Sequence, residues 1–161
     1  MIRFLRAAFA ASFLLVAPAF AQDHDGTIHH ADLNLSAPFT RATLPNAPVG
    51  GGFLSIQNAG ADADRLVSAS SPAAAMVQIH EMAMEGDVMK MRQLADGLEL
   101  PPGETVTLAP GGFHLMFMGL TQAFVEGETV PVTLVFEKAG PVELDLPVMS
   151  AAADAAHTMS H

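Results

Sequence analysis

The sequence predicts an all-β domain, an antiparallel sandwich or Greek-key barrel of eight to ten short strands. Three observations carry that expectation. Short runs alternate apolar and polar residues with period two. Gly, Pro and Asn clusters end almost every run. Beyond the first twenty or so residues no stretch repeats its apolar positions at helical spacing.

The elements follow in order. Met1 to Arg6 is basic, Ala7 to Ala17 is apolar, and Pro18-Ala19-Phe20-Ala21 closes the segment. This is the layout of a secretory signal peptide, residues 1–21, with an Ala-x-Ala cleavage site. The apolar run is shorter than the roughly 20 residues a membrane span needs, so no span is expected once the signal is removed. No Cys follows the cleavage site to take a lipid. Residues 22–30 form a polar, flexible lead carrying His24, and the folded domain is expected over 31–148. Ala31 to Leu35 alternates as a first strand, and Arg41 to Val49 is a Pro-punctuated loop. Gly51 to Asn58 and Arg65 to Ala69 read as further strands. Ala73–Ala75 and Leu120–Phe124 have room for one helical turn each.

Met76 to Met84 and Val88 to Arg92 read as a hairpin about a Glu85-Gly86-Asp87 turn. Leu98–Leu100, Thr105–Leu108 and Phe113–Met118 follow, separated by Pro-Gly turns. Thr129–Phe136 and Val142–Val148 complete the set, and Pro131 within the first of these points to an edge strand. Residues 149–161 read as a flexible tail with His157, Met159 and His161.

Charge narrows the function classes. Removing residues 1–21 takes Arg3 and Arg6, so Lys+Arg falls from 7 to 5 against 17 acids, near −12. That argues against nucleic acid and anionic membranes as partners. The chain has no cysteine, so no disulfide staples it, and its 50% hydrophobic content must supply the core alone.

The central stretch carries the chemistry. Five of the ten methionines fall between Met76 and Met91. Residues two apart share a strand face, so Met76, Gln78, His80, Met82 and Met84 line one face. Met89 and Met91 share a face on the return strand, which leaves open which of them is the donor. His114, Met116 and Met118 share another. Imidazole is a borderline ligand and thioether a soft, neutral one, a set that selects Cu(I) over harder cations. His80, His114 and thioethers among these methionines are the candidate ligands. Without Cys a blue-copper centre is excluded. Metal hydrolases supply carboxylates and an open water position. Glu81 alternates away from His80 and no catalytic motif stands out, so the chain is not expected to be an enzyme.

At these residues a resemblance is specific. His80, ten residues, Met91, then His114-Leu115-Met116 resembles the pattern of the PCu(A)C periplasmic copper chaperones. The phrases Val88-Met89-Lys90-Met91-Arg92 and Pro110-Gly111-Gly112-Phe113 are similar too, over roughly Ala31 to Val148. One departure exists: twenty-two residues separate Met91 from His114 instead of about twenty-one, and the extra one is expected within Gln93–Asp96. The resemblance implies a cupredoxin-like sandwich in the periplasm that binds Cu(I) through His80, Met91, His114 and Met116. It also implies delivery to the copper-receiving subunit of cytochrome c oxidase or to another periplasmic copper chaperone. A sequestering or resistance protein without an oxidase client is the alternative. Two accessory Cu(II) sites are expected at the termini. Cleavage after Ala21 would expose Gln22-Asp23-His24, whose amine, amides and imidazole suit square-planar Cu(II). His157, Met159 and His161 alternate in the tail.

Overall fold

The computed structural model describes residues 26–153. Eleven strands form in chain order: β1 Ile28–His30, β2 Leu33–Arg41, β3 Val49–Asn58, β4 Asp64–Ser70, β5 Ala74–Glu85 and β6 Val88–Gln93. They continue as β7 Leu98–Leu100, β8 Thr105–Leu108, β9 His114–Leu120, β10 Thr129–Phe136 and β11 Gly140–Met149. No helix occurs among the described residues. The signal segment, His24 and the His157, Met159 and His161 tail lie outside them.

Seven strands close on themselves in the order β2-β11-β10-β4-β5-β9-β3, because β2 also pairs β3. The strands β1, β8, β7 and β6 are appended to β2, β3, β4 and β5. Closure removes the open edges of the main sheet. All pairs are antiparallel except β11 with β2, where Val148 faces Thr40 and Met149 faces Arg41 in parallel. That pair departs from the wholly antiparallel expectation. It joins strands over a hundred residues apart and seals the barrel. On β2 the register shifts between Ser36 and Phe39, where Ala37 adopts φ 48°. The resulting bulge bends β2 while it stays paired with β3 on both sides.

Alternation explains the interior. Leu33, Leu35, Leu54, Ile56, Leu66, Leu115, Phe117, Leu134, Phe136, Val142 and Leu146 are all buried at period two along their strands. Leucine and phenylalanine thus fill a core that has no Trp or Tyr. Gly52 is required by that core: a Cβ there would stand 2.8 Å from the Phe117 ring.

Several local expectations are corrected. The domain starts before Ala31, because β1 pairs β2 and Ile28 is buried. His29 and His30 therefore belong to a strand, not to a flexible lead. Residues 149–153 are docked rather than loose. Met149 ends β11, Ala153 is buried with Phe39 and Phe53, and the Arg41 guanidinium donates to the Ala153 carbonyl at 2.5 Å. Ala73–Ala75 and Leu120–Phe124 form no helical turn, since β5 begins at Ala74 and pairs it with Leu120. Pro131 sits on an interior strand, between β11 and β4. It is tolerated because the β4 pairing stops at Thr133 opposite Ser70. Its carbonyl faces that side and takes the Ser71 hydroxyl at 2.6 Å.

Candidate metal centre

Three strands build the site, with β5 in the middle. Cross-strand partners share a face, and the registers set His80 directly opposite His114, Gln78 opposite Met116 and Met76 opposite Met118. On the other side of β5, Met82 faces Met91 and Met84 faces Met89. The hairpin turn is a two-residue loop, with Gly86 at φ 64° as such turns require. Pairing with β9 ends at His80, so the rest of the β5–β6 hairpin extends past it.

The candidate ligands meet as follows. The His80 and His114 rings lie edge to face, with centroids 5.7 Å apart. The Met91 side chain reaches from β6 to place its sulfur 3.2 Å from His114 Nε2. Met116 stands on the same face of β9, two residues beyond His114, with Gly51 of β3 on its other side. Met89 is one rung farther out, so Met91 is the thioether that the register brings to the histidines. Both histidines are buried, whereas Met91 is 47% exposed. The centre therefore has fixed imidazoles and a thioether open to solvent.

Hydrogen bonds settle which nitrogen of each ring is free. The Pro110–Phe113 loop closes on itself, with Ala109 N–H donating to Phe113 O at 2.9 Å and Gly112 N–H to Ala109 O at 3.0 Å. It presents the Gly112 carbonyl to His114 Nδ1 at 3.0 Å. A carbonyl only accepts, so Nδ1 carries the proton and Nε2 the lone pair. That lone pair faces the Met91 sulfur, itself an electron-pair donor. Two electron-pair donors meeting this way suit a cation between them.

His80 is arranged likewise. The Gln78 amide oxygen accepts from its Nε2–H at 2.8 Å, and the amide nitrogen in turn donates to the Met76 sulfur at 3.1 Å. That leaves Nδ1 as the lone-pair atom, buried and without a hydrogen-bond partner. An orphaned buried acceptor beside a second imidazole and a thioether fits a coordinated ion. Glu81 points to the opposite face, as alternation predicts, and is engaged by Arg92. Among the described residues no three His, Cys, Asp or Glu side chains gather to hold an ion. The donor set here is two imidazoles and thioethers, with no carboxylate.

Gln78 and Gly112 are the parts that motif spacing missed. Both lie two residues before a histidine. For Gln78 the signal was available, since it shares the His80 face.

Burial, and then the charge of His114, push the His80 pKa below its ordinary 6.5. Folding therefore favours neutral His80. The stability this lends is complete above about pH 6.5, where an unfolded histidine is also neutral. It is lost as pH falls through the lowered native value, because the unfolded chain binds a proton that the native state resists. The metal-free protein should lose urea midpoint between pH 7.5 and 5.5. His80→Gln should flatten that slope, and an unchanged slope would mean His80 does not set it.

Comparison with known proteins agrees with the architecture. The structure is similar to the copper-bound PCuAC domain of PmoF2, with a TM-score of 0.65, 28% identity, and coverage of 77% of this chain and 97% of that one. It is similar to the apo PCuAC domain of PmoF1, with a TM-score of 0.66, 27% identity, and coverage of 77% and 98%. The Cu(I) form of DR1885 from Deinococcus radiodurans, 23% identical, matches with a TM-score of 0.56 over 71% and 78% of the chains and shows the fold alone. The fold is thus cupredoxin-like, as the resemblance implied. In sequence, the protein Lxx21020 of Leifsonia xyli subsp. xyli, named as a lipoprotein, is 34% identical over 96 residues. That match covers 60% of this chain and 58% of the relative's length. The LpqE-like family model matches residues 33–148, from the first residue of β2 nearly to the end of β11, and the chain belongs to that family.

Proposed function

We propose that this protein is an exported copper chaperone that holds one Cu(I) between His80, Met91, His114 and Met116 and releases it by ligand exchange. The observation that carries this reading is the meeting of the free His114 Nε2 with the Met91 sulfur beside the orphaned His80 Nδ1. Imidazole and thioether are neutral, so they stabilise a monovalent soft ion and attract a dication weakly. They also exchange readily, and a thiolate-bearing acceptor can displace them. The copper-bound PmoF2 domain, 28% identical over nearly its whole length, supports the same cargo. The basic, apolar and Ala-x-Ala order of residues 1–21 and the lipoprotein naming of the relative support export.

The client is the copper-receiving subunit of cytochrome c oxidase or another copper chaperone in the same compartment. Anaerobic titration of Cu(I) against a coloured chelator tests the cargo. One tight equivalent is expected, with both nitrogen and sulfur scatterers in its X-ray absorption spectrum. A spectrum without sulfur would rule the site out. Mixing the loaded protein with an apo-acceptor bearing a thiolate pair tests the role. Transfer supports a chaperone, and retention of the ion supports sequestration instead.

Gln78 fixes the His80 tautomer, so Gln78→Leu should weaken Cu(I) binding about tenfold, at the lower end of what such outer partners contribute. Unchanged affinity would show that the ring orients itself without that amide.

A further inference from the structure

The β5–β6 hairpin leaves much of its sulfur in water. Met84 is 61% exposed and Met89 49%. Methionines retained to fill a core are not found in solvent, so packing does not account for this pair. Nor are they scattered. Met84 faces Met89 and Met82 faces Met91 as cross-strand partners, with Cβ atoms about 5 Å apart. The reverse face of the hairpin is charged: Lys90 donates to Glu85 at 2.5 Å and Arg92 to Glu81. One side of the ribbon thus presents thioethers and the other ion pairs. The thioether side runs without interruption into His80, in rungs about 7 Å apart.

We propose that Met82, Met84 and Met89 form a second, outer Cu(I) site at the hairpin tip, which passes the ion to the inner centre through Met91. This deepens the chaperone reading and rests on it for the identity of the cargo. Three neutral soft donors hold a monovalent ion without adding charge. Imidazole is the stronger donor, so the inner centre, with two of them, holds the ion more tightly and the ion moves inward. Each step is a substitution at the metal: a bond to copper from sulfur or, at the inner centre, from imidazole nitrogen forms as a sulfur–copper bond breaks, no electron is transferred, and the ion stays monovalent. Met91 belongs to both ends of the path. Its partner across the hairpin is Met82 of the outer set, and its sulfur lies against His114 of the inner one.

The test uses the full chain with 13C-labelled methionine methyls and silver(I), a stand-in for Cu(I) that does not change oxidation state. The first equivalent should move the Met91 and Met116 methyls and the His80 and His114 ring signals. The second should move the Met82, Met84 and Met89 methyls. A Met84→Leu/Met89→Leu variant, close in volume and on an exposed ribbon, should keep the first response and lose the second. Met84 and Met89 methyls that stay still through two equivalents would overturn the outer site. So would a double variant in which the Met82 methyl still responds to the second equivalent. Failure of the inner reading looks different: the His80 and His114 signals stay fixed while the hairpin methyls move.

Discussion

A Met91→Leu/Met116→Leu protein is expected to fold normally and to lose its tight Cu(I). The exchange of Met for Leu keeps volume and usually costs under about 1.5 kcal/mol even inside a core. Here Met91 is largely exposed and Met116 only half-buried, so the fold has little to lose. Copper has much to lose. Partners that merely orient a ligand contribute about ten- to a hundredfold each to metal affinity. Two donors removed from the ion should therefore lower affinity on the order of a thousandfold, about 4 kcal/mol. The X-ray absorption signature should change with it, from mixed nitrogen and sulfur to nitrogen alone. Met118→Leu is the control. It lies on the same face but one rung farther from His114, opposite Met76. If Met118→Leu weakens copper as much as the double change, the sulfur surface acts in bulk and the four-donor set is wrong.

Gly97→Ala is expected to give the largest loss of stability. Gly97 has φ +84°, a conformation that costs a residue with a Cβ about 1–2 kcal/mol. An added Cβ would also lie 2.4 Å from the Leu66 carbonyl oxygen. That oxygen is backbone, held where Leu66 pairs with Leu98, and has no rotamer by which to move away. Overpacking of this kind adds about 1–3 kcal/mol. The sum, about 2–5 kcal/mol, should lower Tm by roughly 10–15 °C in a domain of this size. Gly103→Ala separates the two causes. Its φ is +74° with nothing near the missing Cβ, so only the backbone cost should appear. Equal urea midpoints for the two variants would show that the Leu66 contact does not matter. The effect bears on the metal centre, because Gly97 closes the turn that leads out of β6, the strand of Met91.

The sequence made the strands of the site legible and left the closure of the barrel hidden. Period two along Met76–Met84, with a Gly86 turn, was enough to pair β5 with β6 and to place His80, Met82 and Met84 on one side. The spacing of His80, Met91, His114 and Met116 then proposed a set. The structure brings His80, Met91 and His114 into one place, with Met116 beside them on β9. What local pattern lacks is any record of which distant strands touch. The parallel join of β11 to β2 rests on Thr40, Arg41, Val148 and Met149, whose neighbours in sequence say nothing about one another. Pro131 misled for the same reason. Proline forbids a hydrogen bond on one side at one residue, which does not require the whole strand to lack a neighbour on that side. The first strand, β1, spans three residues and one buried side chain, too few for alternation to register.

The β6 strand pairs with β5 alone, and all six of its residues are exposed. His80 and His114 sit instead on strands sewn into the closed ring. Amide hydrogen exchange should therefore follow a gradient, fast along β6 and slow along β9, because local opening is easiest where fewest bonds are broken. With an ion held as proposed, the cage would have one loosely hinged wall, and release is expected to begin there while the two rings hold still.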